Sequence, residues 1–90
     1  MTYNLIAPDS YRKREKKFLK QHPELLKQYG KTLKLLQNNP FHPSLKSHHL
    51  KGRHKGISSV SINKSYRITH TSIKNEDIIL IDVGKHEAVY

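Results

Sequence analysis

The hydrophobic positions change their spacing along the chain, and each change marks an element. Tyr3, Leu5, Ile6 and Ala7 lie ahead of Pro8, which suits a short first strand that the proline ends. Ser10 reads as the N-cap of a first helix. In YRKREKKFLKQ, residues 11–21, Tyr11, Phe18 and Leu19 fall at i, i+7 and i+8 on one helical face, with basic residues around the rest. So thin an apolar stripe needs a partner to hold the helix. His22-Pro23 ends it, and Pro23 fits the first position of a second helix. Leu25, Leu26, Tyr29, Leu33 and Leu36 then recur at helical spacing up to Asn38-Asn39-Pro40. The expectation is a helical hairpin.

From Ile57 the period becomes two. Val60 and Ile62 alternate with Ser59, Ser61 and Asn63, and Tyr66, Ile68 and His70 alternate with Arg67, Thr69 and Thr71. Asn63-Lys64-Ser65 reads as the turn between them, and Lys74-Asn75-Glu76-Asp77 as the next. Residues 78–83 are apolar on both faces except for Asp82 and predict a central strand that Gly84 ends. KHEAVY, residues 85–90, is a short tail. The expected architecture is α+β over a single domain, 1–90: an N-terminal strand, a helical hairpin, a three-strand antiparallel meander and the tail. Both helices are expected on one sheet face, leaving the face toward which Arg67 points open to the loop before the meander.

That loop changes the picture. PFHPSLKSHHLKGRHKG, residues 40–56, reads as irregular and holds four histidines, four Lys or Arg and no acid. Loops of this length are uncommon unless they are functional or mobile. Over all 90 residues Lys plus Arg is 17 and Asp plus Glu is 7, a net charge of +10. Between Glu24 and Glu76 there is no acid, while ten Lys or Arg and five of the seven histidines fall there. This asymmetry points to nucleic acid or another polyanion. Cysteine is absent, which excludes a disulfide framework, a thiolate nucleophile and a Cys-based zinc site. No stretch approaches a membrane span, and the opening residues lack the apolar core of a secretory signal. A cytoplasmic protein with no membrane partner is the expectation.

The chemistry available is that of His, Arg, Lys and Tyr. There is no paired-carboxylate centre, nucleophile elbow or P-loop. The histidines lack metal-ligand spacing, so no metal or other cofactor is expected. RNA cleavage suits this set. The 2′-hydroxyl attacks the adjacent 3′-phosphodiester, one group takes its proton, another protonates the leaving 5′-oxygen, and cations stabilise the extra charge on phosphorus. Histidine serves either proton role near neutral pH, and arginine offers a planar fork to phosphate oxygens. The loop supplies His48, His49, Lys51, Arg53, His54 and Lys55, the hairpin turn Lys64, the strand Arg67 and the tail His86 and Tyr90. Other residues read as structural: His70 as a core residue in phase with Tyr66 and Ile68, His42 beside prolines, and His22 as a helix cap. The run from Arg12 to Lys20 reads as a solvated helix face or a secondary RNA contact. Asp82 is the local acid that would pair with Arg67 if that arginine were structural.

Three segments carry a resemblance: HPSLKSHHLKG at 42–52, SINKSYRI at 61–68 and LIDVGKHEAVY at 80–90. With the N-terminal strand and hairpin, the chain resembles the RelE/ParE superfamily of type II toxin–antitoxin toxins, in particular its RelE/YafQ-like branch. The resemblance implies a metal-free endoribonuclease (an mRNA interferase) that cuts messenger RNA in the ribosomal A site. It also implies an acidic antitoxin partner, with promoter DNA bound only through the antitoxin complex. By position it implies catalytic roles for His48, Arg67, His86 and Tyr90. The chain departs from the YafQ-like pattern at Ser61, where those members have histidine, at Ser65, where they have aspartate, and at Asp82, where they have arginine. Two other readings fit the same fold: a ParE-like DNA gyrase inhibitor, and a catalytically silent RNA- or partner-binding member.

Overall fold

The computed structural model describes residues 2–50, 56–71 and 73–85. Strand β1 (Asn4–Ile6) leads into helix α1 (Asp9–Gln21). A 3₁₀ turn, Pro23–Leu25, feeds helix α2 (Leu26–Asn38), and a second one, Pro43–Leu45, precedes β2 (His48–His49), β3 (Ile57–Ser61), β4 (Tyr66–Thr71) and β5 (Asp77–Lys85). The sheet has five strands in the order β1-β5-β4-β3-β2.

The meander β3-β4-β5 is antiparallel, as its alternation predicts. Two strands extend it. β1 pairs parallel to β5, with Leu5 opposite Ile78, and β2 pairs antiparallel to β3 inside the segment expected to be irregular. Adjacent histidines show no alternation, so β2 carries no pattern of its own. Its pairing with β3 defines it.

The turns form where expected. The Asn63 side-chain oxygen accepts from the backbone N–H groups of Ser65 and Tyr66 at 2.8 and 2.9 Å, an Asx turn closing β3-β4. Asn75 and Glu76 take φ of 51° and 67°, the left-handed pair of a tight hairpin bend, and Lys74 bridges to Asp77. Pro8 rather than Ser10 is the N-cap of α1, which starts two residues earlier than expected, at Asp9, with that carboxylate in the positive first turn. Gly84 does not end β5, which continues to Lys85.

The core lies between one sheet face and the helical hairpin. Tyr11, Leu36, Val60, Ile68 and Ile78 are fully buried there, joined by Phe18, Tyr29, Ile62, Leu80 and Val83. A register shift opposite Thr69 and His70 explains how β5 serves this face. Asp82 pairs with Thr69 and Leu80 with His70, so the extra residue resets the phase and lets Ile78, Leu80 and Val83 all point inward. The apolar run is therefore not a strand covered on both faces: Ile79 is 38% exposed. Leu26, read as part of the buried stripe of α2, is 59% exposed, because the helix begins there and the buried face runs through Tyr29, Thr32 and Leu36.

The hairpin is locked by a buried polar chain. Tyr29 donates to the Glu15 carboxylate at 2.6 Å, so its single proton is committed and Tyr11 must donate to Tyr29, at 2.5 Å. Burial pushes both phenol pKa values well up, so they remain protonated donors.

Candidate functional site

β4 places Arg67 on the sheet face away from the helices. Tyr66 and Ile68, its neighbours in the strand, face the helical hairpin: Tyr66 packs against Phe18 of α1 at 5.3 Å between ring centroids, and Ile68 is in the core. Alternation turns Arg67 the other way. Cross-strand pairing sets Ser61 and Gly84 directly opposite it. Gly84 has no side chain, so nothing from that position crowds the guanidinium.

Arg67 is not spread over an open face. It is only 4% exposed. Its Nε donates to the Ser59 hydroxyl at 2.9 Å, and one terminal nitrogen donates to the carbonyls of Ser59 at 3.0 Å and Lys46 at 2.6 Å. The Lys46 carbonyl reaches it because the second 3₁₀ turn ends in a left-handed residue, Lys46 at φ 46°, which swings the chain across the sheet. These contacts hold the guanidinium in one orientation. Asp82, the acid considered as its partner, is turned to Arg14 of α1 at 3.7 Å.

His48 joins this face. It pairs with Ser59, which pairs in turn with Thr69, so His48 and Arg67 share one face of the sheet with Ser59 between them. Ser59 is fully buried, a hydroxyl that bonds Arg67 while its backbone pairs with His48. Sequence reasoning passed over it. A serine pair, Ser58-Ser59, in a strand with only Val60 and Ile57 for apolar content was the available signal, because buried hydroxyls require partners.

The neighbouring histidine parts company with this group. His49 faces the helix side, where its ring Nδ1 is 2.9 Å from the Ser58 hydroxyl. Lys64 sits exposed in the β3-β4 turn, beyond the end of the strand that carries Arg67. Lys51, Arg53, His54, Lys55, His86 and Tyr90 lie outside the described residues; His86 directly follows the last residue of β5.

Of the residues read as structural, His42 and His22 cap as expected, and His70 is buried as expected but its Nε2 has no hydrogen-bond partner among the described residues. His70 is 3% exposed. His42 caps the second 3₁₀ turn by accepting from the Ser44 N–H at 3.1 Å. His22 closes α1 and stacks on Phe18 and Tyr66 at 4.9 and 4.6 Å. Beside this stack a cleft of about 650 Å³ is lined by Arg14, Lys17, His22, Tyr66 and Lys85, so part of the basic face of α1 borders a recess rather than open solvent. Among the described residues no group of three His, Asp or Glu is placed to hold a metal ion, and no helix is long and apolar enough to cross a membrane.

These features define a small α+β fold with a basic, histidine-bearing sheet face. No family model and no curated protein matches the chain. Solved structures do. A mutant of YafQ from E. coli superposes with a TM-score of 0.80 at 20% identity, covering 98% of both chains. The E. coli DinJ-YafQ toxin–antitoxin complex gives 0.78 at 17% identity, covering 100% of this chain and 99% of the other. The YoeB-YefM toxin–antitoxin complex from Staphylococcus aureus gives 0.73 at 20% identity, covering 93% and 97%. The chain thus has the RelE/YafQ-like toxin fold that its sequence resembles.

Proposed function

We propose that this chain is the toxin of a type II toxin–antitoxin system and acts as a ribosome-dependent mRNA endonuclease. The observation that carries the reading is Arg67, a buried guanidinium fixed by Ser59 and Lys46 on the same sheet face as His48. A cation held in place before substrate arrives needs no reorganisation as charge develops on phosphorus. The structural neighbours described as toxin–antitoxin complexes support the toxin part of this reading.

In this mechanism the 2′-hydroxyl attacks the adjacent phosphorus, and the 5′-oxygen of the next nucleotide leaves. His48 and His86 divide the proton roles, one taking the hydroxyl proton and the other delivering a proton to the leaving oxygen. Arg67 stabilises the added negative charge. Tyr90 orients or stacks on a base. Lys51, Arg53, His54, Lys55 and Lys64 bind the RNA backbone, and an acidic antitoxin covers the same basic surface. The chemistry uses no metal.

The test is brief expression and then mapping of new RNA 5′ ends on translated messages, with Arg67→Ala and His86→Ala controls. Cleavage confined to translated messages and lost in both variants is expected. Intact messages with altered plasmid supercoiling would transfer the reading to a gyrase inhibitor. Growth inhibition that persists unchanged in both variants would leave a binding module.

A further inference from the structure

A second recess lies on the helix side of the sheet, opposite the face that carries the Arg67 side chain, and Lys46 borders both, its carbonyl holding Arg67. The stretch from Pro40 to Ser47, beside β3, borders a cleft of about 570 Å³, lined by Phe41, His42, Lys46, His49, Ser58 and His70 among others. This is within the size range of small-ligand sites.

Its polar element is unusual. His70 is 3% exposed, and its Nδ1 lies 2.6 Å from the Thr71 carbonyl. A carbonyl only accepts, so Nδ1 carries the proton and, in the neutral ring, Nε2 is a bare acceptor. Burial lowers the pKa of this ring, with His49 adding to the effect, so the neutral form persists at pH 7. Nε2 is buried and has no hydrogen-bond partner among the described residues. Buried acceptors without partners are rare and costly.

The rim has a different character. Phe41 is 72% exposed, the most exposed large hydrophobic residue described, and stands between Pro40 and His42. Lys46 is exposed beside it, in a chain of net charge +10. An aromatic face, a cation and a buried acceptor do not suit an apolar peptide segment. Although three histidines line the cleft, no group of three ligand-type side chains among the described residues is arranged for a metal.

We propose that this cleft binds a nucleotide unit: a base stacked on Phe41, one of its N–H groups donated to Nε2 of His70, and its phosphate near Lys46. Nε2 is buried when the cleft is empty, so binding in this proposal includes a local opening that uncovers it. The site is separate from the Arg67 face, and it stands or falls independently of the nuclease reading.

The experiment monitors the His70 ring nitrogens by NMR in the full-length protein. AMP, GMP, CMP, UMP and a short single-stranded oligoribonucleotide are titrated in turn, with ribose 5-phosphate and inorganic phosphate as base-free probes. The expected result is a shift of Nε2 toward a hydrogen-bonded value with at least one base-bearing ligand and not with the base-free ones. A response to the oligonucleotide alone assigns the site to a strand, and a response to mononucleotides assigns it to the free unit. Phe41→Ala, at an exposed position that the fold does not need, weakens binding by roughly 5- to 100-fold. Three results would overturn the proposal: no response at millimolar ligand, an equal response to ribose 5-phosphate, or unchanged affinity in Phe41→Ala. A crystal structure showing only a water on Nε2, undisplaced by nucleotide, would do the same.

Discussion

The two faces of the sheet both bury polar groups, and they do so to different ends. On the helix side, Tyr11, Tyr29 and Glu15 form a chain in which each hydroxyl proton has an acceptor. The chain ties α1 to α2 and ends on a partly exposed carboxylate. On the opposite face, Arg67 is buried just as deeply, and the groups that orient it include a hydroxyl and two backbone carbonyls. The first arrangement consumes its donors and yields stability. The second holds a buried guanidinium in one orientation, at the cost of taking its charge out of water. On the function proposed above, that asymmetry separates the working face from the structural one.

The largest effect should come from Arg67. Arg67→Ala is expected to lower cleavage of translated message by about 10²- to 10³-fold, the range for removing one preorganised charge donor. Arg67→Lys should not rescue it, because an ammonium cannot hold the Ser59 hydroxyl and the two carbonyls in one planar fork. Quantitative mapping of 5′ ends against total message checks both. Full activity in Arg67→Lys would mean that charge alone matters and that the fixed geometry is incidental.

Tyr29→Phe tests the other side. It removes the hydroxyl that links Tyr11 to Glu15 and leaves Tyr11 without its acceptor in the core. A loss of about 1–3 kcal/mol is expected in urea denaturation. Cleavage per folded molecule should stay unchanged. If activity fell while stability held, the two faces would not be separable.

How far the sequence reached obeys the same division. The hairpin and the meander were legible because their apolar residues keep periods of 3.6 and 2, and Asn63 and Asn75 mark turns by their own chemistry. β1 was legible as a strand ahead of Pro8 but not in its pairing, and β2 was not legible. A three-residue strand in parallel pairing with β5 and a two-residue strand of histidines gain their identity from partners distant in sequence. At the site, Arg67 and His48 stood out as residue types, and alternation placed Arg67, but only the β2-β3 pairing puts His48 on the same face. Ser59 and the Lys46 carbonyl did not stand out. A serine reads as solvent-facing until the arginine it holds is in place, and a backbone carbonyl at a left-handed residue has no sequence signature at lysine. The split of His48 from His49 was available from strand alternation only once that pair was known to be a strand.

A smaller effect is expected from His70. Its pKa is lowered in the folded protein from the ordinary value of 6.5, so the unfolded chain binds the proton first as pH falls. Its contribution to stability is therefore complete above about pH 6.5 and is lost progressively below it. The His70 ring should titrate below a free histidine by NMR, and the urea midpoint should decline between pH 7 and 5.5, ahead of the carboxylates. A His70 midpoint at or above the free value would mean that the ring is paired as a cation and would remove the neutral acceptor from the helix side.

The smallest expected effect probes the seam between the two faces. β1 pairs with β5 only through Ile79, so beyond that point the edge of β5 lies beside α1. There Arg14 donates to the Ile81 carbonyl at 3.2 Å and approaches Asp82 at 3.7 Å. Both side chains are substantially exposed, 53% and 36%, so water screens the pair and can replace the lost donor. Arg14→Gln should cost less than about 1 kcal/mol and leave cleavage nearly unchanged, measured by urea denaturation at low and high salt. An effect on cleavage approaching that of Arg67→Ala, with stability preserved, would show that the recess bordered by Arg14, Lys17 and Lys85 takes part in RNA binding. The working surface would then wrap around the end of β5 instead of stopping at the Arg67 face.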